Sequence, residues 1–254
     1  MAFVDYETKD GIAIITLNRP ERLNALGTPV INDLLEVLQR FEKDAGARVA
    51  IITGKGRAFS AGADIKEMAE TGRPGTGARE DIPQDDPYGL ASVTKPTIAA
   101  VNGFAWGGGC HLAMGADIRI AAESASFGVA EMTLGLYGGG HAFILQRIPL
   151  WVAMELSLTG DAVSAQRACE VGLVNKVVPD EELMPEAMKL AQRIAQHSLF
   201  ALEWTKKAVQ KAAALSEEVL GFAAFVDKKV RTSEDALEGV TAFLEKRKPL
   251  YKGK

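Results

Sequence analysis

Two stretches of small residues carry the chemistry legible in this chain. The first is Arg57-Ala58-Phe59-Ser60-Ala61-Gly62-Ala63-Asp64-Ile65. Further along, Gly107-Gly108-Gly109 opens a short helical stretch. Turns built from Gly and Ala expose backbone N–H groups that no side chain shields, and two such donors aimed at one point stabilise a developing oxyanion. That pattern points to an enzyme acting on a carbonyl or thioester. The same glycines also permit close packing of turn on strand. A candidate acid–base group follows in Val129-Ala130-Glu131-Met132-Thr133-Leu134. A carboxyl in mostly apolar surroundings is driven towards its neutral form and is poised for proton transfer. His111 stands just after the glycine run. Imidazole is a competent acid–base group, although the first turn of a helix disfavours its charged form.

These groups need elements to position them, and the chain supplies an alternation. Residues 11–17 read as a buried strand closed by Asn18-Arg19-Pro20. Residues 29–43 carry a helical stripe (Val30, Ile31, Leu34, Leu35, Val37, Leu38, Phe41), with Pro29 suited to its first turn. Strands are predicted at 49–53, 98–101, 117–121 and 125–127, and short helices at 65–70 and 108–114. This alternation indicates a layered α/β fold. Residues 71–89, with Gly72-Arg73-Pro74-Gly75 and Asp81-Ile82-Pro83-Gln84-Asp85-Asp86-Pro87, read as a mobile surface loop and candidate lid between the two glycine turns. From Leu183 onward strand signals stop. Residues 183–196, 201–214, 216–230 and 233–246 read as helices, the last with a capped start at Ser233-Glu234-Asp235. The expected division is a core over 1–195 and a helical region over 196–254, packed on the core or against another subunit.

Composition narrows the function classes. The 254 residues are 47% hydrophobic, enough for a large core. A net charge of −4 argues against a nucleic-acid partner. Cys110 and Cys169 lack metal-binding spacing and read as small buried thiols of a reducing compartment. His111, His141 and His197 are too dispersed along the chain to suggest a metal site. No segment reads as a secretory signal or as a membrane-spanning helix. The expected location is therefore the cytoplasm or a similar reducing space, with neither membrane nor nucleic acid as partner.

The ordered motifs make the chain resemble the enoyl-CoA hydratase/isomerase (crotonase) family. They are Leu17-Asn18-Arg19-Pro20 with Asn24-Ala25-Leu26, residues 57–68, Ala100-Val101-Asn102-Gly103 with Gly107–Cys110, and Phe127-Gly128 with Glu131. Leu134-Gly135, Leu158-Thr159-Gly160, Gly172-Leu173-Val174 and residues 242–249 complete the set. The resemblance covers almost the whole chain. It implies a crotonase-like spiral of ββα units with C-terminal helices that build homotrimers, or hexamers as pairs of trimers. It implies a coenzyme A thioester as ligand, with coenzyme A part of the substrate and no separate cofactor. The thioester oxygen would sit between the N–H groups of Ala61 and Gly108, and Glu131 would be the general acid/base. Ala63, Asp64, Ile65 and Lys66 would border the substrate. Arg22, Lys66 and Lys246 are candidate phosphate partners or solvated charges, with Lys246 reaching over from a neighbouring subunit. Trp106 lines the acyl pocket or fills core.

Two departures bear on the reaction. Family hydratases usually carry a second glutamate where this chain has His111, so hydration and double-bond isomerisation both stay open, the latter needing only Glu131. The segment Gly135-Leu136-Tyr137-Gly138-Gly139-Gly140-His141 lacks the family's proline, and Tyr137 or His141 is a candidate to reach the acyl group. Three competing readings remain: thioester hydrolysis through Glu131, a hydrolase built on Ser60, Asp64 and His111, and a non-catalytic acyl-CoA-binding protein.

Overall fold

The computed structural model describes residues 2–71, 86–137, 148–213 and 217–253. Strand β1 (Val4–Lys9) pairs antiparallel with β2 (Ile12–Leu17). Helix α1 (Thr28–Lys43) follows, with Pro29 in its first turn and Val30, Ile31, Leu34, Leu38 and Phe41 buried, as the stripe predicts. The Glu67 carboxylate accepts the Thr28 N–H at 2.9 Å and so caps this helix from outside. At the other end Lys95 donates to the carbonyls of Phe41, Asp44 and Ala47.

From there the chain climbs in ββα steps. The first is β3 (Val49–Gly54), β4 (Ala58–Ser60) and α2 (Ile65–Thr71). The second is β5 (Thr97–Val101), β6 (Phe104–Trp106) and α3 (Gly108–Gly115). The third begins with β7 (Ile118–Ala122) and β8 (Ser126–Gly128), followed by a 3-10 turn over Ala130–Leu134. Later come β9 (Val163–Ser164) and β10 (Lys176–Val178). First strands of the steps join a six-stranded sheet, ordered β1-β2-β3-β5-β7-β10. Second strands join a four-stranded sheet, ordered β4-β6-β8-β9. This is the spiral that the resemblance implies.

Strands β3 and β5 are buried along their whole length, as expected of central parallel strands covered on both faces. Alternate residues serve the two faces. Ala50, Ile52, Ala99 and Val101 join the larger core with α1. Val49, Ile51, Ile98 and Ala100 pack under the helix Leu183–Ala195 through Leu183, Ala187 and Ala191. Helices Leu199–Ala212, Glu217–Arg231 and Glu234–Leu244 complete the C-terminal region, and Ser233 caps the last by accepting from the Ala236 N–H. Most of the expected lid lies outside the described residues, as do His141 and Gly138–Gly140.

Candidate active site

Three parallel neighbours in the smaller sheet, β4, β6 and β8, each release the chain at the same end. The carboxyl ends of adjacent parallel strands are where open α/β folds gather reacting groups. Beyond β4 comes Ala61-Gly62-Ala63, beyond β6 comes Gly107-Gly108, and shortly beyond β8 comes Glu131. The Gly107 N–H donates to the Gly128 carbonyl at 2.8 Å, carrying the β6–β8 pairing into the turn.

The two glycine turns touch. Gly62 sits at φ +88°, and a Cβ built on it would stand 2.6 Å from the Trp106 carbonyl oxygen and 3.0 Å from the Gly108 nitrogen. A Cβ on Gly109 would collide with the Ser60 carbonyl. Only hydrogen at both positions lets the bends approach this closely. The Glu131 carboxylate lies on the other side of the same turn: a Cβ on Gly107 would be 3.0 Å from its Oε1.

One expectation needs correction. The Ala61 N–H donates to the Leu23 carbonyl at 2.9 Å. An amide committed to a protein carbonyl does not also serve an oxyanion, so Ala61 is not the donor. The structure points two residues on. Ala63 forms a parallel bridge with Leu26, whose N–H donates to the Gly62 carbonyl at 2.7 Å. Such a bridge engages the residues flanking Ala63 and turns the Ala63 N–H away from Leu26. Gly108 is the first residue of α3, where N–H groups have no acceptor within the helix. Ala63, Trp106, Gly108, His111 and Glu131 all keep partial exposure among buried neighbours, so solvent reaches this recess.

The residues around it fall into distinct roles. Asp64, 6% exposed, receives Arg19 at 2.8 Å and Arg22 at 3.0 Å. Burial alone would raise its pKa; the Glu67 amide and the two guanidinium groups outweigh it and hold the carboxyl below the usual range. The carboxylate side chain is thus spent on scaffold, and part of the Arg22 charge with it. Ser60 is fully buried. Its hydroxyl donates to the Asn24 carbonyl at 2.8 Å and accepts from the Gly62 N–H. With that proton given to a carbonyl and Asp64 held by arginines, Ser60, Asp64 and His111 do not assemble a nucleophilic triad. Trp106 is anchored through its indole N–H to Ser126 Oγ at 3.0 Å. Cys110 is free and buried; burial, then the nearby Glu131 charge, pushes its thiol up to about 12, so it is inert at neutral pH. Cys169, also free, keeps partial exposure.

Ala63 and Ile65 pack against a small cluster of Met68, Leu136, Ala236 and Val240. This cluster ties α2 and the turn after Glu131 to the C-terminal helix Glu234–Leu244 of the same chain. Gly239 of that helix meets the Leu134 backbone, and the Tyr251 hydroxyl donates to the Thr133 carbonyl at 3.0 Å. Residues beyond 195 therefore help to hold the site. Lys66 and Lys246 are exposed on or just beyond two helices packed together within one chain. Tyr137 is half-buried, and burial followed by the charge of Asp227 raises its hydroxyl.

Sequence reasoning missed Tyr88. It is buried, and its ring meets the His111 ring edge-on with centroids 5.3 Å apart. Its hydroxyl abuts Gly108, where a Cβ would collide with it. The available signal was an aromatic residue at the end of an otherwise polar, proline-rich stretch. Among the described residues no group of three His, Cys, Asp or Glu side chains is placed to hold a metal, and no helix is long and apolar enough to cross a membrane.

Comparison with known proteins agrees with this architecture. A family model described as "Enoyl-CoA hydratase/isomerase" matches residues 7–254. A probable mitochondrial enoyl-CoA hydratase of Dictyostelium discoideum is 41% identical over 251 residues, covering 98% of this chain and 90% of the relative. The 2,3-dehydroadipyl-CoA hydratase of Escherichia coli is 37% identical over 250 residues, 96% of each chain. Among solved structures, a carnitinyl-CoA hydratase of Mycobacterium avium superposes with a TM-score of 0.89 at 33% identity over the full length of both chains.

Proposed function

This chain belongs to the enoyl-CoA hydratase/isomerase family and is an enzyme of it, and on that footing we propose that it adds water to a 2-enoyl-CoA through an enolate. The thioester oxygen accepts hydrogen bonds from the Gly108 and Ala63 N–H groups. Glu131 takes a proton from water as the water oxygen bonds to C3, electrons move onto the thioester oxygen, and a proton returns to C2. The observation that carries the reading is the meeting of three strand ends: the Gly62 bend, the Gly108 amide and the Glu131 carboxylate share one turn. Relatives named as hydratases support the choice of reaction. Two amides and a carboxylate suffice for this chemistry, so the proposal calls for no separate cofactor.

His111 favours a second reading. With imidazole in place of a second carboxylate, Glu131 alone can take a proton from C2 of a 3-enoyl-CoA and return it at C4. A panel of acyl-CoAs followed by ultraviolet absorbance and mass separates the two. Hydration of crotonyl-CoA removes conjugated absorbance and adds one water; isomerisation of a 3-enoyl-CoA creates absorbance at constant mass. Release of free thiol would replace both with hydrolysis, and an inert panel would overturn the proposal.

The proposal includes a homotrimer, or a pair of trimers, in the cytoplasm. Helix Leu150–Thr159 leaves Trp151 76% and Leu158 67% exposed, beside Leu150 and Met154. Phe200 and Trp204, and Phe222 and Phe225, are exposed on two later helices. Contiguous apolar faces of this kind mark association surfaces. Light scattering is expected to give three or six times the 27.1 kDa subunit mass. The double variant Trp151→Asp, Leu158→Lys should shift the protein to a smaller species. Wild-type protein of one subunit mass would refute the assembly.

A further inference from the structure

Tyr88 reaches the recess from a turn that is itself well fixed. The Gly89 N–H donates to the Asp86 carbonyl at 3.1 Å, and Ser92 Oγ donates to the Gly89 carbonyl at 2.7 Å. Gly89, at φ +75°, presses on Leu35 of α1. The Tyr88 side chain is 4% exposed and joins the main core. Its ring stands nearly perpendicular to that of His111, at 80°. Its hydroxyl abuts Gly108, beside Leu26. Gly108 and His111 are three residues apart and so lie on one face of α3. The phenol packs along that face and its hydroxyl ends against Gly108, the residue whose amide the reading above assigns to the thioester oxygen.

Resting on the enolate reading above, we propose that Tyr88 is a further catalytic residue: its hydroxyl donates a hydrogen bond to the thioester oxygen as negative charge builds there. A phenol O–H rotates about its C–O bond to meet an acceptor. A donor to an ionised oxygen is stronger than one to a neutral carbonyl, so this contact gains strength between ground state and enolate, the condition for catalysis by binding. No proton leaves the phenol.

Tyr88→Phe retains the ring, its burial and the His111 contact, and removes only the hydroxyl. The variant is expected to lose about 100-fold in kcat, the loss typical of one oxyanion donor, with KM nearly unchanged. Two ligands need no turnover: butyryl-CoA, a ground-state thioester, and a nitronate-bearing acyl-CoA, which mimics the charged oxygen. The variant should weaken nitronate binding selectively while butyryl-CoA binds as before. Equal weakening of both ligands would mean the residue only supports the fold, and unchanged affinity for both would leave the hydroxyl without a role; either overturns the proposal. Glu131→Gln tells this failure from that of the parent reading. If that variant loses turnover while Tyr88→Phe stays normal, Tyr88 alone is wrong; if it keeps full turnover, the enolate reading itself fails.

Discussion

Glu131→Gln is expected to lower kcat by about 10²–10⁴-fold, the usual worth of a positioned general acid/base, with KM for the acyl-CoA little changed. The amide is nearly isosteric, so the 3-10 turn Ala130–Leu134 and its supports, the Tyr251 bond to Thr133 and the packing of Gly239 on Leu134, should persist. What disappears is the carboxyl group against the Gly107 turn. Measuring kcat and KM on whichever acyl-CoA the wild type converts, with thermal melting as a folding control, checks the claim. Turnover within error of wild type would remove Glu131 from the mechanism.

The second large effect comes from a residue with no side chain. Gly62→Ala places a methyl group 2.6 Å from the Trp106 carbonyl oxygen and 3.0 Å from the Gly108 nitrogen, at a backbone φ of +88°. A non-glycine residue held in a sparsely populated backbone region costs about 1–3 kcal/mol. The collision adds to that, because both neighbours are backbone and neither can swing aside. Relief requires the two bends to separate, which moves the Gly108 amide away from Ala63. Loss of one oxyanion donor lowers kcat by about 10²–10³-fold, so a drop of that size is expected together with a lower melting temperature. The conformational control is Gly172→Ala, also at positive φ (+82°) but with nothing within 4 Å of the added carbon; it should lose some stability and keep kcat. Equal kcat in both variants would show that the approach of the two bends has no part in turnover.

The sequence was informative wherever a signal is local. The apolar stripe of α1, the buried runs of β3 and β5, and the serine cap of the last helix all follow from short-range patterns and match the structure within a residue or two. The short strands β4 and β6 were not legible. Three residues carry too little periodicity, and their strand character comes from parallel pairing with partners far along the chain. The helix Leu150–Thr159 was likewise missed, since apolar residues around most of its circumference give no one-sided stripe.

By itself the sequence determined the chemistry on offer: two unshielded bends, one carboxylate in apolar surroundings, and the family in which such parts occur. Only the tertiary structure decided which amide of the first bend is available. Ala61 and Ala63 are the same residue type two positions apart, and what separates them is the Leu23 carbonyl waiting 2.9 Å from one N–H and the Leu26 bridge that turns the other away. It also brought Tyr88 to Gly108. Hydrogen-bond partners and close approaches are set by where distant segments cross, and residue type alone does not encode that.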